Sequence, residues 1–268
     1  MISFLHTADI HLGLRITRFD KAVVDKLLDA RFRTLEKIIS KGKESGVDFI
    51  VISGDLFDDG TVDRTTADRA YRLLAQAGRP VYIIPGNHDP LLPGSVWDRE
   101  PWNSDAGGGP AVLRERAPVW FNDRVELLPC TVFRKTSSED PTAWIAEAKR
   151  KKGTLRIGIA HGSLNDRAYL PQDDHIIRID AADAYDLDYL ALGHWHSVRK
   201  YPGEKGAVRT AYSGTPEPMG FAGAGRQSLG WVPYSDAPSS DLFSDNGVGC
   251  ALLVTIDGPG APPNVESI

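Results

Sequence analysis

Cysteine is scarce in this chain, and long apolar runs are missing from it. Only two of the 268 residues are cysteines, Cys130 and Cys250, and their wide spacing matches no metal-binding motif. We therefore expect two reduced thiols rather than a disulfide framework. No apolar run approaches the ~18 residues that a membrane-spanning helix needs. Residues 1–5 lack the basic start and the cleavage site of a secretion signal, so a cytoplasmic location is expected.

Positive charge is not in surplus either. The 31 lysines and arginines are outnumbered by 36 aspartates and glutamates, which gives a formal net charge of −5 at pH 7. This balance argues against a broad electrostatic footprint for nucleic acid, because such binding depends on neutralising many phosphates. A local basic surface is still compatible with this charge balance. The densest basic run, from Lys149 to Lys152, is interpreted as a solvated helix end.

The composition is otherwise that of a globular α/β protein, with 41% hydrophobic and 25% charged residues. Short apolar runs predict buried strands at residues 2–5, 49–52, 81–84, 155–160, 189–192 and 251–256. The i, i+3, i+4 spacing of apolar residues predicts a helix over 24–39, and further helices are expected over 65–76 and 142–151. Strands that alternate with helices indicate a largely parallel sheet with right-handed crossovers.

Two long stretches, residues 91–110 and 214–249, show no helical or strand periodicity and are expected to be loops. Trp97 and Trp102 in the first of them either pack the loop onto the domain or stack on unpaired bases. Residues 258–263 consist of glycine, proline and alanine, a composition typical of a linker. We therefore expect one domain over residues 1–257, followed by a flexible tail over 258–268.

Five short polar motifs each follow or end a predicted strand. In chain order they are Asp9-Ile10-His11, Gly54-Asp55, Gly86-Asn87-His88-Asp89, His161-Gly162 and Gly193-His194-Trp195-His196. They contain five of the seven histidines. The other two, His6 and His175, are interpreted as a strand-end and a surface histidine. Functional residues in open α/β sheets gather beyond the carboxyl ends of the strands, so the motifs are expected to converge.

Carboxylate, imidazole and amide oxygen are the potential ligands in these motifs, and thiolate is missing from them. This set favours Mn²⁺, Fe²⁺, Zn²⁺ or Mg²⁺ over softer metals. Two divalent ions about 3.5–4 Å apart can bind both the attacking and the leaving oxygen of a phosphate ester. Asp55, which arrives alone on a tight Gly-Asp turn, is the natural carboxylate to bridge them. The sequence therefore predicts a two-metal phosphoesterase.

The ordered motifs D-x-H, G-D, G-N-H-D, H and G-H-x-H resemble those of the calcineurin-like metallophosphoesterase superfamily. Within it the chain is most similar to SbcD-type DNA repair nucleases. That likeness is carried by His6-Thr7-Ala8-Asp9-Ile10-His11-Leu12-Gly13, Ser53-Gly54-Asp55-Leu56-Phe57-Asp58 and Tyr212-Ser213-Gly214-Thr215-Pro216. The resemblance covers residues 1–220, roughly, and implies an α/β fold: a four-layer calcineurin-like sandwich of two mixed β-sheets flanked by helices.

The resemblance also implies a role for each residue of the site. One metal would be held by Asp9, His11 and His196, the second by Asn87, His161 and His194, and both by Asp55. Mn²⁺ would be the metal in a nuclease of this type. His88 would protonate the leaving oxygen as a general acid, and Asp89 would orient His88 through its other ring nitrogen.

DNA is the substrate that the resemblance implies, with an SbcC-type ABC ATPase as partner and a homodimer formed through helices of the catalytic domain. SbcD-like nucleases usually continue into a DNA-capping domain and an ATPase-docking segment, whereas this sequence ends soon after its last predicted strand. Two other functions stay open at this point. The same metals would serve a small-molecule phosphodiesterase or a phosphomonoesterase, and the fold could serve as a non-catalytic scaffold. The presence of His88 beside a complete ligand set argues against the scaffold.

Overall fold

The structure is a computed structural model that describes residues 1–104, 108–166, 174–218 and 249–268. Its first sheet is made of the strands β1 (Ile2–Thr7), β2 (Phe49–Ser53), β3 (Val81–Ile84), β4 (Ala111–Val112), β11 (Leu252–Ile256) and β12 (Asn264–Ser267). Their order is β12-β11-β1-β2-β3-β4. The strands β1 to β4 are parallel, whereas β11 is antiparallel to both of its neighbours, β1 and β12.

The second sheet also has six strands, in the order β5-β6-β7-β8-β10-β9. They are β5 (Val119–Asn122), β6 (Val125–Cys130), β7 (Leu155–His161), β8 (Tyr189–Gly193), β9 (Arg199–Pro202) and β10 (Val208–Tyr212). The four central strands are parallel, and the edge strands β5 and β9 are antiparallel to their neighbours. Both sheets are therefore mixed.

Two long helices, α1 (Lys21–Glu44) and α2 (Arg64–Ala75), begin at aspartates that cap them. The carboxylate of Asp20 accepts a hydrogen bond from Val23 N, and that of Asp63 accepts one from Thr66 N. Each bond satisfies one of the backbone N–H groups that have no partner at the start of a helix. A short helix, α3 (Ala181–Ala184), lies before β8.

The predicted helix over residues 142–151 is wrong in type and length, because only a five-residue 3₁₀ helix, Ala143–Glu147, forms there. The carbonyl of Ala148 accepts a hydrogen bond from the Arg156 guanidinium at 2.9 Å. The guanidinium of Arg150 binds the Asp188 carboxylate at 2.9 Å. These long-range polar contacts replace the backbone bonds of a continued helix, so the basic run lies beyond the helix rather than at its end.

Three buried clusters give the layers of the fold. Apolar residues from both sheets, among them Phe4, Phe49, Ile157 and Tyr189, pack together in the middle. The opposite face of the first sheet packs against α1 and α2. The opposite face of the second sheet packs against the 3₁₀ helix Ala143–Glu147 and α3. Two six-stranded sheets flanked by helices confirm the predicted four-layer sandwich.

The predicted flexible tail over 258–268 is also wrong, because its last residues form β12 at the edge of the first sheet. Val265 lies opposite Val254 in the antiparallel register. Before that strand, Gly260 accepts a hydrogen bond from the Arg209 guanidinium at 3.0 Å and donates one to the Asp188 carboxylate at 2.5 Å. The glycines and prolines therefore form a turn between two strands rather than a linker.

The predicted loop over 91–110 contains a short 3₁₀ helix, Val96–Asp98, and keeps both of its tryptophans in the core. Trp97 and Trp102 lie edge to face with ring centroids 5.4 Å apart, so they pack the loop and are not available for base stacking. The predicted loop over 214–249 lies outside the described residues except at its ends. Both cysteines are free. In the part of the chain that is described, no helix combines the length and apolarity that a membrane span requires.

Candidate metal centre

All five motifs meet at one edge of the sandwich, where parallel strands of both sheets end. Asp9 and His11 follow β1, Asp55 follows β2, Asn87 and His88 follow β3, His161 ends β7, and His194 and His196 follow β8. The first three of these strands belong to one sheet and the last two to the other. Both sheets therefore contribute residues to a single site.

Four of the seven proposed ligands have an unusual backbone conformation. The φ angle is positive, between 49° and 103°, at Asp9, His11, Asp55 and His194. Among the other described residues only two that are not glycine share this feature. Such conformations cost about 1–3 kcal/mol each and concentrate at functional sites. Hydrogen bonds from Asp9 N to Gly54 O, at 3.2 Å, and from His11 N to Asp55 O, at 3.0 Å, hold these turns.

Two motif glycines are required by the crowding around the shared carboxylate. A Cβ atom on Gly86 would lie 2.2 Å from Asp55 Oδ1. A Cβ atom on Gly54, whose φ is 92°, would lie 2.2 Å from His161 Nδ1. Neither position can hold a side chain without moving a proposed ligand. The glycines of the G-D and G-N-H-D motifs therefore belong to the site as much as the polar residues do.

One half of the site, here named the His161 half, consists of Asn87, His161 and His194 together with Asp55. Asn87 Oδ1 lies 2.8 Å from His161 Nε2 and 3.0 Å from His194 Nδ1. Asp55 Oδ2 lies 3.3 Å from His161 Nε2. On its far side His161 Nδ1 lies 2.8 Å from the carbonyl of Ser53, which fixes the ring. The potential ligand atoms of this half are thus turned toward one another.

The other half, here named the His11 half, consists of Asp9, His11 and His196 together with Asp55. Potential ligand atoms of the first three lie within 4.8 Å of one another. His11 is fully buried, and its Nε2 has no hydrogen-bond partner among the described residues. Asp55 Oδ2 lies 3.8 Å from that nitrogen. The two oxygens of the Asp9 carboxylate share a hydrogen bond from the His194 N–H, at 3.0 and 3.1 Å, which joins the two halves.

Burial and charge set the protonation of the centre. Burial alone would disfavour charge on both His161 and Asp55, but their mutual attraction outweighs it. It raises the pKa of His161 to about 9 and holds the pKa of Asp55 below its usual range. Burial lowers the pKa of His196 to about 4. An ionised Asp55 and a neutral His196 are the forms that bind cations, whereas His161 must lose a proton when a cation binds.

The residues of both halves fit divalent cations. A buried ring nitrogen without a hydrogen-bond partner is costly, and His11 Nε2 is such an atom. A second group of potential ligand atoms, from Asp9, Asp55 and His161, is also closed within 4.8 Å. Imidazole, carboxylate and amide oxygens are the ligands that Mn²⁺, Fe²⁺, Zn²⁺ and Mg²⁺ share. The centre therefore has the composition and the closeness that two cations require.

His88 lies at the mouth of the centre, beside the His11 half. Its side chain is 45% exposed, and its ring stands perpendicular to that of His11 with centroids 4.8 Å apart. Its backbone N–H donates to Asp55 Oδ1 at 2.9 Å. Its ring Nδ1 lies 3.0 Å from the carbonyl of Asp58. The ring is thus anchored on one side and open to solvent on the other.

Asp89 does not orient His88, so that predicted role is wrong. Its buried carboxylate accepts hydrogen bonds from Phe57 N at 2.9 Å and from Gly86 N at 2.7 Å. Burial, and then the nearby charge of Asp55, raise the pKa of Asp89 well above its usual range. Asp89 therefore fastens the turn that carries Asn87 and His88 to the turn that follows β2.

Two carboxylates of the site were not predicted. Asp58 Oδ1 lies 3.2 Å from His11 Nδ1, and Asp174 Oδ1 lies 3.1 Å from His194 Nε2. A carboxylate on the far nitrogen of a metal-binding imidazole fixes its orientation and raises its basicity. Asp58 stands three residues after Asp55 and could have been singled out from that spacing. No sequence signal points to Asp174.

The two histidines outside the motifs are both buried. His6 lies in β1, with Nδ1 3.1 Å from the Tyr189 hydroxyl and Nε2 3.1 Å from the Leu192 carbonyl, and burial lowers its pKa to about 3. His175, which was predicted at the surface, is buried instead. Its backbone N–H donates to the Ser137 carbonyl at 3.0 Å, and this contact with a distant loop covers it.

The segment after β10 braces the ligand turns from behind. Thr215 Oγ1 donates to the Asp9 carbonyl at 2.7 Å, and Thr215 N donates to the His196 carbonyl at 3.0 Å. Arg31, buried in α1, donates to the Ile10 carbonyl at 2.8 Å and to the Pro218 carbonyl at 3.1 Å. The Tyr212–Pro216 signature thus has a structural task next to the His11 half.

Residues 2–198 match the family model described as calcineurin-like phosphoesterase. This match spans most of the chain, and the chain belongs to that family. It is a metallophosphoesterase, a hydrolase of a family whose members use a dimetal site. The predicted superfamily is therefore confirmed, and the convergent residues described above are candidates for holding the two metals of that family.

The curated relatives share about a quarter to a third of their residues with this chain over the matched stretches. The chain is 25% identical over 222 residues to the uncharacterized metallophosphoesterase YhaO of Bacillus subtilis, with 77% of this chain and 52% of YhaO covered. It is 24% identical over 258 residues to the SbcD component of the nuclease SbcCD of Escherichia coli, with 83% and 62% covered. It is 34% identical over 92 residues to the DNA double-strand break repair protein Mre11 of Aeropyrum pernix, with 33% and 21% covered. The chain thus spans less than two thirds of the length of each of these relatives.

Solved structures share the fold at low sequence identity. TT1561 of Thermus thermophilus superposes with a TM-score of 0.52 at 14% identity, over 80% of this chain and 89% of the other. GAP50, the anchor in the inner membrane complex of Plasmodium, gives 0.53 at 13% identity, over 100% and 84%. A dimetal phosphatase from Danio rerio gives 0.50 at 11% identity, over 79% and 86%. These likenesses support the architecture alone.

Proposed function

We propose that this metallophosphoesterase hydrolyses phosphodiester bonds of DNA with Mn²⁺, as an exonuclease or endonuclease of DNA repair. The observation that carries the hydrolytic part is the combination of a closed set of potential metal ligands with one exposed histidine, His88, anchored at its mouth. A purely structural metal site has no need of an exposed imidazole beside it. A phosphodiesterase needs one, because the leaving oxygen must gain a proton.

In this proposal the chain's own residues divide the work between them. Asp9, His11 and His196 hold one cation, Asn87, His161 and His194 hold the other, and Asp55 serves both. When bound, the two cations would polarise the phosphoryl group and lower the pKa of the attacking water. His88 delivers a proton to the leaving oxygen, and its anchored backbone keeps the ring facing the mouth. Asp58 and Asp174 hold the imidazoles of His11 and His194 in orientation.

The DNA part of the proposal is supported by the curated relatives and by the Thr215 brace. The relative from Escherichia coli, which covers 83% of this chain, is named as a component of a nuclease. The relative from Aeropyrum pernix is named for the repair of DNA double-strand breaks. The Tyr212–Pro216 segment, which carries part of the likeness to SbcD-type nucleases, contacts both Asp9 and His196 in this chain. The narrower signature thus lies directly behind the candidate centre.

A cleavage assay tests the proposal. The purified chain is loaded with Mn²⁺ and offered linear double-stranded, hairpin and single-stranded DNA, with a small chromogenic phosphodiester alongside. His88→Ala serves as the active-site control. We expect DNA cleavage that is lost in His88→Ala while metal content stays the same. Turnover of the small ester without cleavage of any DNA would reject the nuclease and leave a general phosphodiesterase.

A small-molecule phosphodiesterase or phosphomonoesterase is the second candidate. The net charge of −5 favours it, because an acidic chain gains little from the release of counterions along DNA. The metals recognise the phosphate and not the leaving group, so the same centre serves both functions. Salt dependence separates them, since DNA cleavage that relies on basic contacts weakens steeply with ionic strength whereas turnover of a small ester does not.

The proposal includes a cytoplasmic location, and it includes an SbcC-type ATPase and a second copy of the chain as partners. The relative from Escherichia coli is named as one component of a larger nuclease, which supports an ATPase partner. Its 62% coverage leaves more than a third of that relative unmatched by this chain. Sedimentation of the purified chain alone and with an SbcC-type ATPase tests both partners. If the chain sediments as a monomer in both runs, neither partner is supported.

A further inference from the structure

An exposed aromatic residue lies at the same edge of the sandwich as the centre. Phe133 comes three residues after the end of β6 and is 38% exposed. Because β6 runs parallel to β7, whose last residue is the proposed ligand His161, the chain leaves both strands at the same edge. Phe133 therefore stands at the edge where the motifs converge and not on a remote face.

Hydrogen bonds join the segment around Phe133 to two loops that border the site. The carbonyl of Val132 accepts a hydrogen bond from Leu91 N at 2.9 Å, three residues after His88. The carbonyl of Lys135 lies 3.3 Å from His175 Nε2, and His175 follows the carboxylate that contacts His194. The segment thus runs from the turn of the general acid to the turn behind the His161 half.

The surroundings of Phe133 combine flat apolar surface with positive charge. The guanidinium of Arg116 lies 5.1 Å from the centre of the Phe133 ring. Leu92, on the turn joined to Val132, is 40% exposed. Arg134 and Lys135 follow and are exposed, with Lys135 Nζ 3.3 Å from an Asp59 carboxylate oxygen. An aromatic face flanked by cations is the combination by which proteins hold single-stranded nucleic acid.

We propose that Phe133 is a stacking platform for an unpaired nucleobase next to the scissile phosphate, with Arg134 and Lys135 binding the adjoining backbone phosphate. This proposal rests on the function proposed above and narrows its substrate to DNA with a single-stranded segment at the cleavage point. A base inside a duplex has both faces covered by its neighbours, so only an unpaired or displaced base can lie on the ring. Phe133 would thereby set substrate preference without taking part in the chemistry.

A second exposed aromatic residue provides the matched control. Trp120 is 43% exposed and has Lys151 Nζ 5.5 Å from its ring, so it too joins an aromatic face to a cation. It lies opposite Glu126 at the amino end of β6, away from the edge where the motifs meet. Position relative to the centre is therefore the main difference between the two.

The test compares two single strands of equal length, oligothymidylate and an abasic oligomer with the same backbone. Binding is measured by fluorescence anisotropy with the Mn²⁺-loaded His88→Ala chain, and cleavage with the chain that retains His88. We expect Phe133→Ala to weaken oligothymidylate binding about 5- to 150-fold, the range that stacking of one base supports. Binding of the abasic oligomer should not change. Phe133→Trp should retain tight binding, and Trp120→Ala should leave both affinities alone.

The outcomes separate this inference from the proposed function. Equal weakening of both oligomers by Phe133→Ala, or no weakening of either, overturns the platform. If the chain cleaves no DNA, the proposed function fails even where base-dependent binding at Phe133 is found. In the cleavage assay the platform predicts a raised KM for oligothymidylate with little change in kcat, since the ring holds the base and donates no proton.

Discussion

The His161 half and the His11 half of the centre are built from similar residues but are satisfied in different ways. In the His161 half one ring nitrogen of each histidine lies within 3.0 Å of Asn87 Oδ1. In the His11 half the Nε2 atom of His11 is buried and has no hydrogen-bond partner among the described residues. The imidazoles of one half are satisfied by its own polar contacts, and the other half contains a buried nitrogen that a bound cation would satisfy.

This difference shows how a fold can position the ligands of two metals without a large loss of stability in the metal-free chain. Buried polar atoms without partners cost free energy, so a centre made only of such atoms would oppose folding. Here the buried ring nitrogens of the centre that lack a hydrogen-bond partner among the described residues both belong to His11, in one half, and the turns that carry both halves are held by backbone bonds and by Thr215. We expect the His161 half to keep its geometry without cations and the His11 half to depend on them more strongly.

The largest effect is expected from Asp55→Asn, because Asp55 is the residue that both halves share. Its Oδ2 lies near His161 and His11, and its Oδ1 accepts a hydrogen bond from His88 N. Loss of this charge should release both cations and lower phosphodiester hydrolysis by about 10⁴-fold or more, since each ion contributes several kcal/mol. Metal analysis after dialysis and initial rates measure the two effects.

The matched control for that change is Asp25→Asn, an exposed aspartate of α1, which should retain both metals and full activity. Two tightly held metals in Asp55→Asn would contradict the shared role. A single retained metal would sharpen the comparison, because we expect it to stay in the His161 half, where Asn87 still joins both imidazoles.

His88→Ala is expected to separate chemistry from metal binding. His88 adjoins the His11 half but is exposed and is not among the seven proposed ligands. The turnover number should fall about 10²- to 10⁴-fold, the usual contribution of a general acid, while metal content stays constant. Rates with a phosphodiester that has a good leaving group should fall much less, because such a group leaves without a proton. Loss of metal from this variant would place His88 among the ligands instead.

Gly86→Ala should destabilise the fold and displace the shared carboxylate. The added Cβ would lie 2.2 Å from Asp55 Oδ1 and 2.5 Å from Asp55 N, so the turn must move. We expect the free energy of unfolding to fall by about 1–3 kcal/mol, as for other overpacked sites. Urea denaturation of the metal-free chain measures it. Gly258→Ala is the control, because a Cβ there meets nothing within 4 Å, and equal stability of the two variants would refute the crowding.

The sequence predicts the strand ends and most of the centre because that information is local. Strands buried on both faces appear as continuous apolar runs, and each ligand follows its strand within a few residues. The predicted strand over 81–84 coincides with β3, and the runs that predict β1, β2 and β7 stop one or two residues before the observed ends. Parallel strands then bring the motifs to one edge without further information.

The failures share a different cause, namely contacts between residues far apart in the chain. The helix predicted over 142–151 does not continue where the Arg150 guanidinium binds Asp188, 38 residues away. His175 is buried by a loop about 40 residues away, and Asp174 reaches His194 from 20 residues before it. Local patterns carry no record of such partners. The prediction for Asp89 fails for another reason. Asp89 is next to His88 in the sequence, but its carboxylate accepts hydrogen bonds from the backbone N–H groups of Phe57 and Gly86.

The smallest expected effects, and the sharpest contrast between the halves, come from the two orienting carboxylates. Asp58→Asn should weaken cation binding in the His11 half about 10-fold, because Asp58 lies 3.2 Å from His11 Nδ1 and fixes that ring. Asp174→Asn should act on the His161 half through His194, and by less, because Asn87 still holds that ring from its other side. Calorimetric titration of Mn²⁺ into each variant gives the affinities.

Double variants assign each loss to its half. Combined with His11→Ala, Asp58→Asn should cost little more, since the ring that it orients is gone, whereas combined with His161→Ala its cost should be added in full. Asp174→Asn should show the reverse pattern, coupled to His194→Ala and independent of His11→Ala. If both carboxylates couple equally to both halves, the centre behaves as one cooperative unit. The cost of leaving His11 Nε2 without a partner would then be shared by the whole site and would not be confined to the His11 half.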